Sequence, residues 1–302
     1  MAFGFQMRSV ARRLRLAAPP SPPPPVTPAL PATAVLVARW SADAIPVQAD
    51  DTSLASWTDA VSGIAAAQAT PAAQPRYRTG GAGGKPFVLF SGAQLLDAGA
   101  DNTVAAACRS GASTVMLVCR NVAPTGFGFL FTATPSTGYN LFHNGSEAGF
   151  FGNGLQRAPY TGTGLTTLCY TAGVPDPSLG RAYLNGTCLN AQGNIASGAG
   201  HHVAIGGSPA LDFVAAKAEV YEVIAWNRAL TAAEVMAAEK WVRDKYASPY
   251  LWAGGPFRVF HGDSITNGTE ATGALRNYPA RVAARNGWAF GTWTNLGHAG
   301  RA

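Results

Sequence analysis

Residues 217–247 read KAEVYEVIAWNRALTAAEVMAAEKWVRDKYA. The first ten alternate with period two, Glu219, Tyr221, Val223 and Ala225 against Val220, Glu222, Ile224 and Trp226, which is the pattern of a strand with two distinct faces. On that alternation Glu219 and Glu222 fall on opposite faces. Thr231-Ala232-Ala233-Glu234 then forms a capping box, in which the threonine hydroxyl satisfies an early helix N–H and the glutamate reaches back. Val235, Ala238, Val242 and Tyr246 recur near one face of the helix this predicts, which runs through Lys245 until Pro249 stops it. A strand passing directly into a capped amphipathic helix predicts the closing unit of a β domain.

Upstream, short β-rich runs follow one another at regular intervals: TAVLVARW, KPFVLF, STVMLVCRNV, GFGFLFTAT, GYNLFHN, AGFFGN, LTTLCYTAG, GRAYLNG and HHVAIGG. Most are bounded by Gly, Pro, Asn or Ser, so they read as strands joined by turns. Ten or so such strands predict a mainly β chain, an antiparallel two-sheet sandwich with one C-terminal helix. Composition agrees. Only 13% of the 302 residues are charged and 47% are hydrophobic, with 35 Gly and 21 Pro, which excludes a coiled coil or a highly charged disordered chain.

The formal charge of +6 is unevenly placed. Residues 1–42 hold five arginines (Arg8, Arg12, Arg13, Arg15, Arg39) and no acid, leaving 17 basic against 16 acidic residues elsewhere. A nucleic-acid-binding body would carry its excess on the folded surface, so no nucleic-acid partner is expected. Residues 1–18 suit a basic arm, either a short amphipathic helix or a disordered leader, and eight of the thirteen residues 19–31 are proline. Residues 19–33 are therefore read as a polyproline II spacer. The arm and spacer suggest docking into a larger protein assembly. No apolar run approaches a membrane span, and Arg12, Arg13 and Arg15 interrupt the only candidate for a secretory signal. Cys108, Cys119, Cys169 and Cys188 match no zinc spacing and read as buried thiols in preference to disulfides.

Four landmarks carry a family resemblance: ARWSAD at 38–43, SWTDAVSG at 56–63, QPRYRTGGAGGKPFVLFSG at 74–92 and the strand–NRALT–helix–KY ending. Together they resemble the concanavalin-A-like, laminin-G-type jelly-roll domains over residues 34–248. The resemblance implies a carbohydrate- or protein-binding module, with a cell-surface glycan as the expected partner. Retaining hydrolysis needs two carboxylates about 5 Å apart, and no such pair is visible, so the sandwich is read as non-hydrolytic. Trp57, Tyr139, Phe142 and Tyr160, with Phe150 and Phe151, lie in or near expected loops and are the candidates for stacking on sugar rings. No cofactor is expected; for calcium only Asp50, Asp51 and Asp59 are candidates, and Asp50-Asp51-Thr52 reads better as a solvated turn. His201 and His202 read as structural, since neighbouring strand residues face opposite sides.

Beyond a boundary near 248–256 the character changes. FHGDSITNG at 260–268 resembles the first block of the SGNH (GDSL-like) hydrolases, and NYPARVAARNGWAFGTWTNLGHAG at 277–300 matches the helix and glycine turn that follow it. The resemblance implies an α/β, flavodoxin-like segment over 256–302. In it Ser264 would be the nucleophile, Asp263 its supporting block residue, and the Ser264 and Gly300 N–H groups the oxyanion donors. The family's Asn block and DxxH base do not occur in these residues, since neither His261 nor His298 has that context. An incomplete hydrolase, inactive as this 302-residue chain, is the expectation. The leading functional reading is a lectin-like module attached to a serine esterase, most plausibly a carbohydrate O-deacetylase, outside the cell. The alternative is a non-enzymatic adhesion or structural protein on the surface of a phage virion.

Overall fold

In the computed structural model of the chain, the alternating stretch becomes the longest strand and the centre of a sheet. The structure describes residues 29–109, 112–122, 128–133, 140–143, 147–152, 154–159, 164–173, 180–191, 202–208 and 217–247, with the pairs 259–260 and 294–295. The first strands are β1 Leu36–Ser41, β2 Thr52–Ser53, β3 Ser56–Thr58, β4 Ala65–Ala67, β5 Arg76–Arg78, β6 Phe87–Ser91 and β7 Leu96–Gly99. The middle ones are β8 Ser113–Asn121, β9 Gly128–Thr132, β10 Asn140–His143, β11 Glu147–Gly152 and β12 Gly154–Pro159. β13 Leu165–Ala172, β14 Arg181–Leu184, β15 Thr187–Ala191, β16 Val203–Ile205 and β17 Lys217–Trp226 complete them. Among the described residues two α-helices accompany the strands, α1 Thr103–Arg109 and α2 Ala232–Tyr246.

These seventeen strands build the two antiparallel sheets expected. One has the order β15-β14-β13-β8-β17-β6-β5-β2, with β1 also on β17; the other runs β12-β11-β10-β9-β16-β7-β4-β3. Their inner faces share one core. Trp40, Trp57, Phe90, Phe131, Phe150 and Tyr170 are all essentially solvent-free, and each buried aromatic of this size contributes about 2–3 kcal/mol by area. Phe150 stacks flat on Tyr170 at 3.5 Å between ring centroids, joining the sheets directly.

Strict alternation along β17 fails at one point. The register with β8 shifts between Val220 and Glu222, a bulge that inserts Tyr221. Val220 and Val223 consequently both face the inner core, and Glu222 comes to the same outer face as Glu219 and Tyr221. The opposite-face expectation for Glu219 and Glu222 is thus overturned. That outer face is covered by α2. Val235, Ala238, Trp241, Val242 and Tyr246 pack on Met116, Val118, Ile224 and Trp226, forming a second apolar layer. The capping box is present: the Glu234 N–H donates to the Thr231 hydroxyl (3.3 Å) and the Thr231 N–H to the Glu234 carboxylate (2.9 Å). The helix runs one residue past the expected end and stops at Ala247, which is left-handed at φ 44°.

Three details differ from the sequence reading. A second helix, α1, is present, with the Asn102 side chain accepting from the Ala105 N–H. Of the stretch 19–33 only its end is described, and there Leu30 is buried in the α2 layer and the Pro31 carbonyl accepts from the Trp226 indole (3.4 Å). None of the four cysteines is in a disulfide, but Cys188 is exposed while the other three are buried; burial pushes the Cys119 thiol up to about 12.

Candidate functional site

With α2 over the first sheet, the outer face of the second is the place where the sandwich presents polar groups. The registers define a straight row across it: Ser56, Ala67, Asp97, Ala204, Thr132 and Asn140, contributed by β3, β4, β7, β16, β9 and β10. Thr132 and Asn140 are buried, and Thr132 donates to the Gly207 carbonyl (3.2 Å). At the other end Ser56 and Ala67 are exposed.

There the sheet carries an open depression of about 540 Å³. Ala65, Ala67 and Ala69 form one side, and Leu95, Asp97, Ala98 and Gly99 the other. The pairing Ala67–Asp97 joins the sides, while Ala66 and Leu96 turn into the core. Small residues at the alternate outer positions leave room that a longer side chain would fill. Asp97 is held by its own turn: its Oδ1 accepts from the Gly99 N–H (2.7 Å) and is paired with His202 Nε2. Both side chains are about one-third exposed, 37% and 35%, so the pair is open to solvent. Gln68 is anchored, donating to the Leu95 carbonyl (3.3 Å) and accepting from the Thr70 N–H (3.0 Å).

The residues named from sequence are placed otherwise. Trp57 and Phe142 are core residues, 1% and 0% exposed, and cannot stack on a ligand. The Trp57 indole donates to the Ser41 carbonyl (3.2 Å), because a buried indole N–H needs an acceptor. Tyr139, Tyr160, Asp263, Ser264 and Gly300 lie outside the described residues. Asp59 has its oxygens taken by the N–H groups of Val61 (2.8 Å), Ser62 (2.9 Å) and Ile64 (2.5 Å), so it organises a turn. Asp50 accepts from Thr79 and faces Arg78; the hydrogen bond from the Thr79 N–H is the main reason its carboxyl lies below the usual range. Neither arrangement pools oxygens for calcium. Among the described residues no three His, Cys, Asp or Glu side chains converge to hold a metal.

Glu219 and Glu222 share a face yet form no acid pair. Glu219 is bound by Arg120 and by the Tyr221 hydroxyl (2.6 Å). Glu222, fully buried, accepts from Arg39 (3.0 and 3.1 Å), Ser41 (2.9 Å), Tyr246 (3.0 Å) and Lys245. Glu222 fastens β1, β17 and α2 together, and Glu219 ties β17 to β8. His202 was assigned a structural role from sequence, and Asp97 was not singled out. The available signal was the Ala-rich 65–69 run beside LDAG, an acid just before a glycine turn.

No family model matches the sequence, and no curated protein sequence matches it. Among solved structures the fold is similar to the sialidase of Trypanosoma rangeli in complex with sialic acid, with TM-score 0.52 and 17% identity. That match covers 74% of this chain and 36% of the sialidase, so the chain corresponds to about a third of that protein. Domain 4 of AbnA, a GH43 extracellular arabinanase from Geobacillus stearothermophilus solved with arabinotriose, gives TM-score 0.49 and 14% identity. It is covered over 98% of its length by 68% of this chain. At these identities the likeness is one of fold.

Proposed function

We propose that the sandwich is a carbohydrate-binding module and that it precedes an SGNH-type serine esterase segment acting on the bound glycan. The observation that carries the first half is the solvent-open depression on the second sheet, lined by alanines on one side and by Asp97, which pairs with His202, on the other. Sugar recognition calls for a shallow surface with a few fixed polar groups, and this depression supplies one. The second half is supported by the GDSIT and NLGHAG motifs. It is supported too by the parallel pairing of Val259–Phe260 with Thr294–Asn295, the strands that lead into them. A parallel pair requires a crossover connection, as an α/β domain has. Binding to the polymer would raise the effective concentration of its ester groups at the enzyme.

The test of binding is a glycan array probed with the fluorescently labelled chain; retention of no glycan at all would refute it. For the esterase segment, the 302-residue chain should hydrolyse p-nitrophenyl acetate no faster than Ser264→Ala. A longer chain that includes a DxxH block should show Ser264-dependent turnover. Its absence there would refute the hydrolase reading and leave the binding one intact.

A further inference from the structure

We infer that the depression selects neutral, hydroxyl-rich sugars and rejects those bearing a carboxylate or sulfate, with Asp97 Oδ2 as the acceptor that decides. This rests on the sandwich being a glycan-binding module and adds the ligand's chemical class. The argument is an inventory of donors and acceptors. Asp97 Oδ1 is occupied by the Gly99 N–H and His202, whereas Oδ2 has no partner among the described residues. Gln68 is held in place by giving one of its two amide N–H donors to the Leu95 carbonyl. The Ala98 and Gly99 carbonyls are occupied by the Asn102 amide at 3.1 and 2.9 Å. Ser56, next to Ala67 across the strand pair, adds a hydroxyl of either sense.

None of the residues lining the depression is a lysine or arginine. An anionic sugar entering here would meet the Asp97 carboxylate with no lysine or arginine in the lining to bind it, and like charges in contact repel. A neutral sugar, in contrast, offers O–H donors that Asp97 Oδ2 can accept. The Ala65, Ala67 and Ala69 methyl groups on one side suit the apolar edge of a pyranose or furanose without an aromatic platform.

The experiment titrates the full chain by calorimetry and saturation-transfer NMR. The neutral probes are methyl β-galactopyranoside, methyl α-mannopyranoside and methyl α-arabinofuranoside. The acidic probes are methyl α-N-acetylneuraminide and methyl glucuronide. At least one neutral glycoside should bind and neither acidic one should. Asp97→Asn keeps the Gly99 contact but loses the charged acceptor, and should weaken binding about tenfold. Ala67→Ile, on an exposed strand position, should fill the depression and abolish binding without changing the melting temperature. Binding of an acidic glycoside that either substitution removes would overturn the assignment, as would neutral binding that both leave intact. If no glycoside binds and the array is also blank, the broader carbohydrate reading fails with it.

Discussion

Replacing Glu239 by Gln should make the protein more stable in alkaline solution while barely changing it in acid. Glu239 sits on the inner face of α2, 3% exposed, where its Oε1 accepts from the Thr167 hydroxyl (2.5 Å). Burial raises its carboxyl from 4.5 to about 7, against the opposing pull of the Thr167 and Gly186 hydrogen bonds and of Arg243. The folded chain therefore binds this proton more tightly than the unfolded chain. Its contribution is complete below about 4.5 and is lost as the pH rises through about 7. The shift corresponds to about 3 kcal/mol, the cost of holding the charge under the helix at pH 8. Gln imitates the protonated acid, with one oxygen to accept and an N–H to donate, so it escapes that cost.

His143 supplies the counterweight. It is 3% exposed on β10, neither ring nitrogen has a partner among the described residues, and burial lowers it to about 4. Its stability is complete above about 6.5 and is lost as the pH falls toward 4. The two slopes oppose each other between about 4.5 and 6.5, so these two groups together leave wild-type stability nearly level there. The assay is urea unfolding followed by tryptophan fluorescence at pH 5, 6, 7 and 8. Glu239→Gln should exceed wild type by about 1 kcal/mol or less at pH 5 and by about 3 kcal/mol at pH 8. It should also uncover the His143 slope, becoming steadily more stable from pH 4.5 to 6.5. An equal difference between the two proteins at every pH would show that packing, not ionisation, governs the site.

Other outcomes follow from the same contacts. Lys245→Met removes a buried cation that binds both Glu222 and Asp43, and should cost about 3 kcal/mol in the same unfolding assay; an unchanged midpoint would mean Arg39 alone suffices. Gly206 has φ +86° and a Cβ there would lie 2.1 Å from the Phe90 ring, so Gly206→Ala should cost about 3 kcal/mol or more. Gly84→Ala, at φ +71° in open space, should cost only about 1 kcal/mol; equal losses at the two positions would contradict the clash.

The β-rich runs were legible because long strands buried on one or both faces keep a dense apolar pattern, as in β8, β13 and β17. Helix α2 was legible from its cap, whose chemistry is local. What escaped were strands of two to six residues, such as β3, β4 and β7. In these, alanine, aspartate and glycine carry no β signal and pairing with neighbours decides the conformation. The depression lies on those same strands, so the site was hidden for the same reason. The aromatic choice erred because Trp57, on a strand beside a polar turn, looks exposed in sequence, whereas its alternate position turns it into the core. The bulge in β17 is likewise a tertiary event: inserting Tyr221 lets its hydroxyl accept from the Ala82 N–H (3.1 Å) while it reaches Glu219.

The central claim is that glycans are bound on the outer face of the second sheet and not on the helix-covered face of the first. Amide shift mapping on the ¹⁵N-labelled full chain, titrated with whichever glycan the array retains, tests it most directly. The account predicts perturbations concentrated in Ala65–Gln68, Leu96–Gly99 and His202, with the amides of α2 unmoved. Shifts centred on α2 and the Asn185–Gly186 turn, with the Asp97 strand silent, would contradict it.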